Sequence, residues 1–200
     1  MQDATHGDTR LALDLALTIR RDGHGGVADD LADPAGLTAW VAAHAEDLPD
    51  TAGRTVDAAA LAAVHALRAA VRALFAHAVR PAEPSPADAA RLLPLPEALR
   101  RLNAAAARTP TVPVLRWTEG TGPVADRRPV PDGGDLTAAL AQAAISFLTG
   151  PDRQRLRACH APRCVRYFLK DHPRQEWCKP SCGNRARVAR HHERHRKTVG

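Results

Sequence analysis

The sequence is poor in aromatic residues and has no long uncharged apolar run. Of its 200 residues only 3 are Trp, 1 is Tyr and 3 are Phe, so aliphatic Leu, Val and Ala must supply most of the core. The most apolar stretch, 58–79, contains two Arg and two His, too many polar groups for a segment of about 20 residues that crosses a bilayer. The N-terminal residues lack the basic and apolar regions of a secretory signal. We therefore expect a soluble, cytoplasmic protein.

Cysteine and excess positive charge are both missing from the first three quarters of the chain. Residues 1–150 hold 14 Arg/Lys and 18 Asp/Glu, whereas residues 151–200 hold 14 and 4, which gives formal charges of −4 and +10. All 4 cysteines also lie in the second part. The net charge of +6 is therefore the sum of an acidic body and a basic end. We predict two domains, 1–150 and 151–200.

The first part follows helical spacing. Leu11, Leu15 and Ile19 predict a first helix that the glycines from Gly23 onward end. A longer helix that begins after Asp57 has an apolar stripe with Arg68 and Arg72 beside it, and we predict that it is the central packing helix. Other predicted helices begin after Asp33, at Pro86, at Pro96 and after Asp135.

Strand-forming residues are confined to one segment of the first part. Residues 111–117 are rich in β-branched and aromatic residues, and Gly120, Gly122 and Pro123 supply a turn before residues 124–130, which predicts a β-hairpin. The predicted fold is therefore mainly α (α+β). A helical N-terminal domain with a small β-hairpin precedes a C-terminal four-cysteine zinc finger, itself a β-hairpin followed by a basic helix.

The cysteines form two close pairs. Cys159 and Cys164 have four residues between them, and thirteen residues further on Cys178 and Cys182 have three between them. Two such pairs suit one tetrahedral ion, and thiolates favour zinc. Four thiolates leave no open position for a reactive water, so we expect one structural Zn²⁺ and no enzyme activity. Disulfides and an iron–sulfur centre are the alternatives.

The segment between the two pairs predicts a strand and its return. Residues 165–169 have strand character, 170–173 form a turn, and Glu176 and Trp177 lead back to the second pair. Phe168 and Trp177 are expected to pack beside the metal. Stacking of these aromatic rings on nucleic-acid bases is the alternative.

These motifs resemble a known family. Cys182-Gly183-Asn184-Arg185, with Trp177-Cys178 and the first cysteine pair before it, looks like the CGNR zinc finger. In that family the finger follows a helical ABATE domain and the proteins are described as candidate stress-induced transcription regulators. The segments 11–15, 30–34 and 102–103 resemble the ABATE domain, although Leu17 stands where its opening motif commonly has Asn. The resemblance implies a regulatory role.

Arginine dominates the chain after Cys182. We predict that Gly183 allows the chain to leave the metal site and that Asn184 caps a basic helix. DNA is the expected partner of this helix, because cations gain affinity by releasing counterions from phosphates. The candidate nucleic-acid contacts are Arg185, Arg187, Arg190, Arg194, Arg196 and Lys197.

Several alternatives to DNA binding by this helix remain open. Arg185 could instead bond to a thiolate or to a backbone carbonyl beside the metal, and the arginines further along could form a solvated tail. The whole protein could bind RNA, or it could be a protein-interaction module with a purely structural zinc. We expect the N-terminal domain to sense a small-molecule effector or to mediate oligomerisation.

Overall fold

The computed structural model describes residues 2–24, 26–48, 56–83, 86–120, 122–129 and 135–198. In the first part the elements are α1 (Gln2–Leu17), β1 (Ile19–Arg21), β2 (Val27–Asp29), α2 (Pro34–Ala43), α3 (Ala58–Ala78), α4 (Pro86–Ala89), α5 (Leu95–Ala106), β3 (Thr111–Thr118), β4 (Gly122–Pro129) and α6 (Leu136–Thr149). A 3-10 turn, Pro151–Arg155, then leads to β5 (Leu156–Ala158), β6 (Tyr167–Leu169) and α7 (Pro180–Thr198). The predicted mainly helical fold is confirmed.

The strands form three separate antiparallel pairs. Ile19 pairs with Asp29 in β1–β2, Thr111 with Pro129 in β3–β4, and Leu156 with Leu169 in β5–β6. The β3–β4 hairpin is the one that its β-branched residues predict, although Val130 lies outside the described residues.

Aspartate side chains begin three of the helices. The carboxylates of Asp33, Asp57 and Asp135 accept hydrogen bonds from backbone N–H groups three residues later, at 2.8, 2.7 and 2.9 Å. Each satisfies a donor that the first helical turn leaves without a partner. The predicted starts of α2, α3 and α6 are therefore confirmed.

The predicted end of the first helix is wrong. α1 stops at Leu17, the Thr18 hydroxyl donates to the carbonyl of Leu15 at 2.7 Å, and Ile19 begins β1. The Asp22 carboxylate accepts hydrogen bonds from the backbone N–H groups of His24 and Gly26, and Gly23 has a φ of +93°. The polar and glycine residues after Ile19 therefore form a hairpin turn rather than a helix end.

α3 is the central helix. It packs against α1, α5 and α6, and a continuous run from Ala70 to Ala76 is buried. Among the described residues α3 is the one helix long and apolar enough to cross a membrane by length and composition alone. Half of its apolar window is buried inside the fold, so core packing accounts for its composition.

Arg68 fastens the β1–β2 hairpin to α3. Its guanidinium donates twice to the Asp29 carboxylate, at 2.6 Å each, and once to the Thr18 hydroxyl at 2.9 Å. Burial alone would raise the pKa of Asp29, but the hydrogen bonds from Arg68 and from the Leu31 N–H outweigh it and lower that pKa. The carboxylate is therefore held in its charged form.

The strands beside the cysteines belong to the main core. Leu156, Ala158 and Tyr167 are buried in the same hydrophobic cluster as the helices of the first part. The ring of Tyr167 meets Phe75 of α3 edge-on, with 5.6 Å between ring centroids. The C-terminal part is thus anchored on α3.

A buried arginine holds this junction together. Arg72 of α3 donates to the carbonyl of Ala16 at the end of α1, to the Asp88 carboxylate of α4 at 2.7 Å, and to the carbonyl of Val165 at 2.7 Å. The Tyr167 hydroxyl donates to the other Asp88 oxygen at 3.1 Å. Burial, together with the Asp88 charge, raises the pKa of Tyr167, which keeps this donor protonated.

Replacement of Arg72 should destabilise the whole chain. Arg72→Met leaves Asp88 buried without its cation and leaves the carbonyls of Ala16 and Val165 without a donor. The expected loss is about 3–5 kcal/mol in the free energy of unfolding, measured by urea denaturation.

The control is Arg80→Met, because Arg80 is an exposed arginine just after the same helix. It should change the unfolding free energy by less than about 0.5 kcal/mol. Equal losses for the two variants would contradict the role of the Arg72 network.

Candidate metal centre and basic helix

The four cysteine sulfurs lie together. The Sγ atoms of Cys178 and Cys182 are 3.5 Å apart, and Cys164 Sγ is 3.9 Å from each of them. All four Sγ atoms, including that of Cys159, lie within 4.8 Å of one another. A tetrahedron with zinc–sulfur bonds of about 2.3 Å separates its sulfurs by about 3.8 Å, whereas a disulfide requires about 2.05 Å. The spacing therefore fits one tetrahedral ion.

The first pair of ligands lies in the turn between β5 and β6. The backbone N–H of Cys159 donates to the carbonyl of Arg166 at 2.9 Å, and that of Cys164 donates to the carbonyl of Ala161 at 2.9 Å. Arg163 within this turn has a φ of +58°, a left-handed conformation that tightens it. The two short strands thus hold the first two sulfurs in place.

The predicted hairpin between the two cysteine pairs is wrong. β6 pairs with β5, the strand that precedes it in the chain. Residues 170–179, all of which the structure describes, contain no strand. Glu176 and Trp177 therefore form no return strand. The physical reason is that the ligand turn itself closes a hairpin, so β6 already has a hydrogen-bonded neighbour.

The predicted start of the basic helix is also wrong. α7 begins at Pro180, and Cys182 lies in its first turn with its N–H bonded to the carbonyl of Lys179 at 3.0 Å. Asn184 is thus inside the helix and caps nothing. Gly183 is needed for close packing, since a Cβ atom there would lie 2.9 Å from Cδ1 of Trp177.

Aromatic rings cover the metal centre as predicted. Phe168 belongs to a small hydrophobic cluster with Cys159, Cys164 and Cys182, and Trp177 packs against that cluster. The two rings therefore shield the sulfurs from water. Their position agrees with the predicted packing beside the metal rather than with stacking on nucleic-acid bases.

The sulfurs influence each other's protonation strongly. Hydrogen bonds from Cys164 and then Cys178 lower the pKa of Cys159 to about 2, whereas the hydrogen bond to Cys159 raises the pKa of Cys164 to about 11. The same contact with Cys159 raises the pKa of Cys178. Four thiolates this close together repel one another unless they share a cation. A divalent ion that prefers sulfur is therefore the partner that suits the whole set.

Arg185 belongs to the metal centre. Its Nη2 donates to Cys182 Sγ at 3.3 Å, and its Nε donates to the carbonyl of Pro162 at 2.9 Å. Of the two roles considered for Arg185, the structure shows the bond to a thiolate and to a backbone carbonyl. One guanidinium thus ties α7 to the turn that holds the first cysteine pair and offsets part of the thiolate charge.

The other arginines of α7 lie on the exposed surface of the helix. Arg187, Arg190, Arg194 and Arg196 are exposed, and Lys197 lies in α7 although its side chain is outside the described residues. Arg187 donates to the side chain of Asn184, and Arg190 Nε donates to the carbonyl of Ala186 at 3.4 Å. Arg187, Arg190 and Arg194 recur at i, i+3 and i+7, so they share one helix face over about 10 Å. Glu193 is the sole acidic residue of α7.

The fold and the site define a helical protein that carries a four-cysteine zinc finger at its C-terminal end. Residues 155–195 match the family described as "CGNR zinc finger", and residues 9–151 match ABATE, described as "Putative stress-induced transcription regulator". The chain therefore belongs to the ABATE family and includes its CGNR finger, as the motifs predicted. No protein with a curated description is similar enough to match it.

The comparison and the geometry agree on the metal. A CGNR finger with four cysteines placed around one point holds one structural zinc ion. The ligands are Cys159, Cys164, Cys178 and Cys182, and together they close the coordination sphere.

The purified chain should contain one zinc ion per molecule. Cys178→Ser should lower the zinc content severalfold, because a hydroxyl replaces one thiolate of a closed site, whereas Ser181→Ala should leave it unchanged. Elemental analysis after dialysis against a mild chelator measures both. A wild-type content well below one, with oxidised thiols, would contradict the site.

Proposed function

We propose that this protein is a zinc-dependent DNA-binding transcription regulator in which α7 contacts the nucleic acid. The observation that carries the proposal is the exposed basic face of α7, which begins one turn after a zinc ligand. The metal centre holds the start of the helix, and its later turns are free to enter a groove. The proposal takes the protein to be a cytoplasmic binding protein and not an enzyme.

Charge supports an anionic partner. A zinc ion with four thiolates carries a net charge of −2, and Arg185 already lies against Cys182 Sγ. The formal charge of +10 in residues 151–200 exceeds this requirement by a wide margin. Because Arg187 and Arg196 are exposed to solvent, their charge is available to phosphates.

Shape supports duplex DNA over single strands. From Arg190 to Arg196 every residue of α7 is exposed, so the helix is accessible from all sides and is narrow enough for a major groove about 12 Å wide. Recognition of single strands commonly uses exposed aromatic rings. Phe168 and Trp177 of the finger are instead packed beside the metal, and the exposed Trp117 belongs to the β3–β4 hairpin and not to the finger. Duplex DNA is therefore favoured over RNA.

The N-terminal domain supplies the regulatory half of the proposal. A cleft of about 580 Å³ is bordered by α1, α5 and α6, with Leu11, Ala106 and Ala143 among its lining residues. Such a cleft is large enough for a small-molecule effector. The β3–β4 hairpin exposes Leu115 and Trp117, which are 69% and 72% accessible and would suit an oligomer contact. Either event would alter how α7 is presented to DNA.

Neutralisation of the basic face should weaken DNA binding and reduce its dependence on salt. For the full, zinc-loaded chain with Arg187, Arg190 and Arg194 all replaced by Ala, the slope of log K against log salt should become shallower by about 2.7. Fluorescence anisotropy with a labelled 20-base-pair duplex measures this slope. Arg80→Ala is the matched control and should leave the slope unchanged.

Three results would contradict the proposal. Wild-type binding that is absent or independent of salt would exclude DNA recognition by this surface. Tighter binding to single-stranded RNA than to duplex DNA would favour an RNA-binding protein. Loss of a protein contact in the triple variant, with negligible affinity for any nucleic acid, would favour a protein-interaction module.

A further inference from the structure

A basic groove lies where the helical body meets the metal centre. It has a volume of about 370 Å³ and runs between the β1–β2 hairpin and the first turn of α7. One wall contains Asp22, the acidic residue of the lining. The basic lining residues are Arg20 and Arg21 from β1, Arg166 and Lys179 from the finger, and Arg185 from α7.

Several donors in this groove have no partner within the described part of the chain. Arg20 is paired with Asp30 at 2.7 Å and Arg185 with Cys182. By contrast, no described residue accepts a hydrogen bond from, or forms an ion pair with, the side chain of Arg166 or Lys179. The groove thus has an excess of positive charge that its own residues do not neutralise.

Arg21 adds a further positive charge to the groove. Its Nη2 donates to the carbonyl of Gly23 at 3.2 Å, but its Nε is buried and, among the described residues, has no hydrogen-bond acceptor. The Nε itself is buried, so an anion in the groove meets the other nitrogens of this part-exposed guanidinium. Arg21 lines the groove and adds to its positive charge.

The first turn of α7 also favours an anion in the groove. Ser181 and Cys182 of its first turn line the groove, and α7 is a helix of 19 residues. The helix dipole favours an anion at such an end. Pro180 has no N–H and the N–H of Cys182 already donates to the carbonyl of Lys179, so the dipole is the contribution of this turn. The thiolates of Cys164 and Cys182 and the carboxylate of Asp22 line the same groove and repel anions. Arg185 offsets part of the thiolate charge, and Arg166 and Lys179 add two further positive charges.

We propose that this groove binds one phosphate group of the nucleic-acid backbone that α7 contacts. The β1–β2 hairpin of the ABATE domain is then part of the DNA interface and not only a neighbour of the finger. Ser181 precedes Arg187 by six residues, which places the groove about 9 Å along the helix axis from the start of the basic face. One nucleic-acid strand can therefore reach both. This inference rests on the proposed function and extends it.

The first test compares salt dependence for variants of the groove. Arg166→Ala combined with Lys179→Ala, in the full zinc-loaded chain, should make the slope of log K against log salt shallower by about 0.9 for a 20-base-pair duplex. Arg80→Ala combined with Arg91→Ala removes the same charge outside the groove and should leave the slope unchanged. Zinc content is measured for both variants and should stay at one per chain.

A second test detects the phosphate without DNA. Sodium pyrophosphate should shift the Nε–Hε resonance of Arg21 in a ¹H–¹⁵N NMR titration of the wild-type chain. The shift should be lost in the Arg166→Ala, Lys179→Ala variant and kept in the Arg80→Ala, Arg91→Ala variant.

The two tests separate failure of this inference from failure of the proposed function. Salt-dependent DNA binding with an unchanged slope in the groove variant overturns the groove and leaves the function of α7 intact. Absence of DNA binding by the wild type overturns the proposed function. A pyrophosphate shift under those conditions assigns the groove to a free phosphate compound, which overturns its role in a DNA interface.

Discussion

Mutual repulsion of four thiolates is the constraint on which the C-terminal part of this protein depends. Four sulfurs within 4.8 Å of one another can all be charged together only when they share a cation. Two segments bring the sulfurs together around the position of that cation: the turn between two three-residue strands and the first turn of α7. Because Cys182 is itself in α7, zinc fixes both the position and the direction of the basic helix.

A second constraint joins the finger to the helical body. Arg72 makes hydrogen bonds to α1, to α4 and to Val165, the residue that follows the zinc ligand Cys164. Its partners are a buried carboxylate and two carbonyls, so its removal leaves several polar groups unsatisfied at once. Displacement of α3 against α4 would therefore act on the chain beside a zinc ligand. This connection joins the helical body to the metal centre.

Local signals in the sequence predicted the ligand set and most helices. Two close cysteine pairs at this spacing admit few chemical interpretations, and the caps Asp33, Asp57 and Asp135 each act on residues three positions away. The family resemblance rested on the same short segments. These features depend on neighbouring residues, which explains why a single sequence was enough.

Features that depend on distant residues were beyond such reasoning. The strands β5 and β6 have three residues each, too few to show an alternating pattern, and their pairing decides where the hairpin lies. In the sequence Arg72 lies beside an apolar stripe, the position that a solvent-exposed arginine would take. In the fold it is buried and donates to the carbonyl of Val165, 93 positions away. The groove likewise joins Arg21 to Arg166. An arginine inside a long apolar helix was the one available signal for the buried network.

The central claim is that zinc organises α7 for DNA binding, and the affinity of one chain for duplex DNA before and after metal removal tests it most directly. Chelation should reduce the affinity of the full chain at least tenfold, reduce its helical circular dichroism, and be reversed by one equivalent of zinc. The predicted dependence follows because the first turn of α7 contains a zinc ligand. An affinity that is the same with and without zinc would contradict the account.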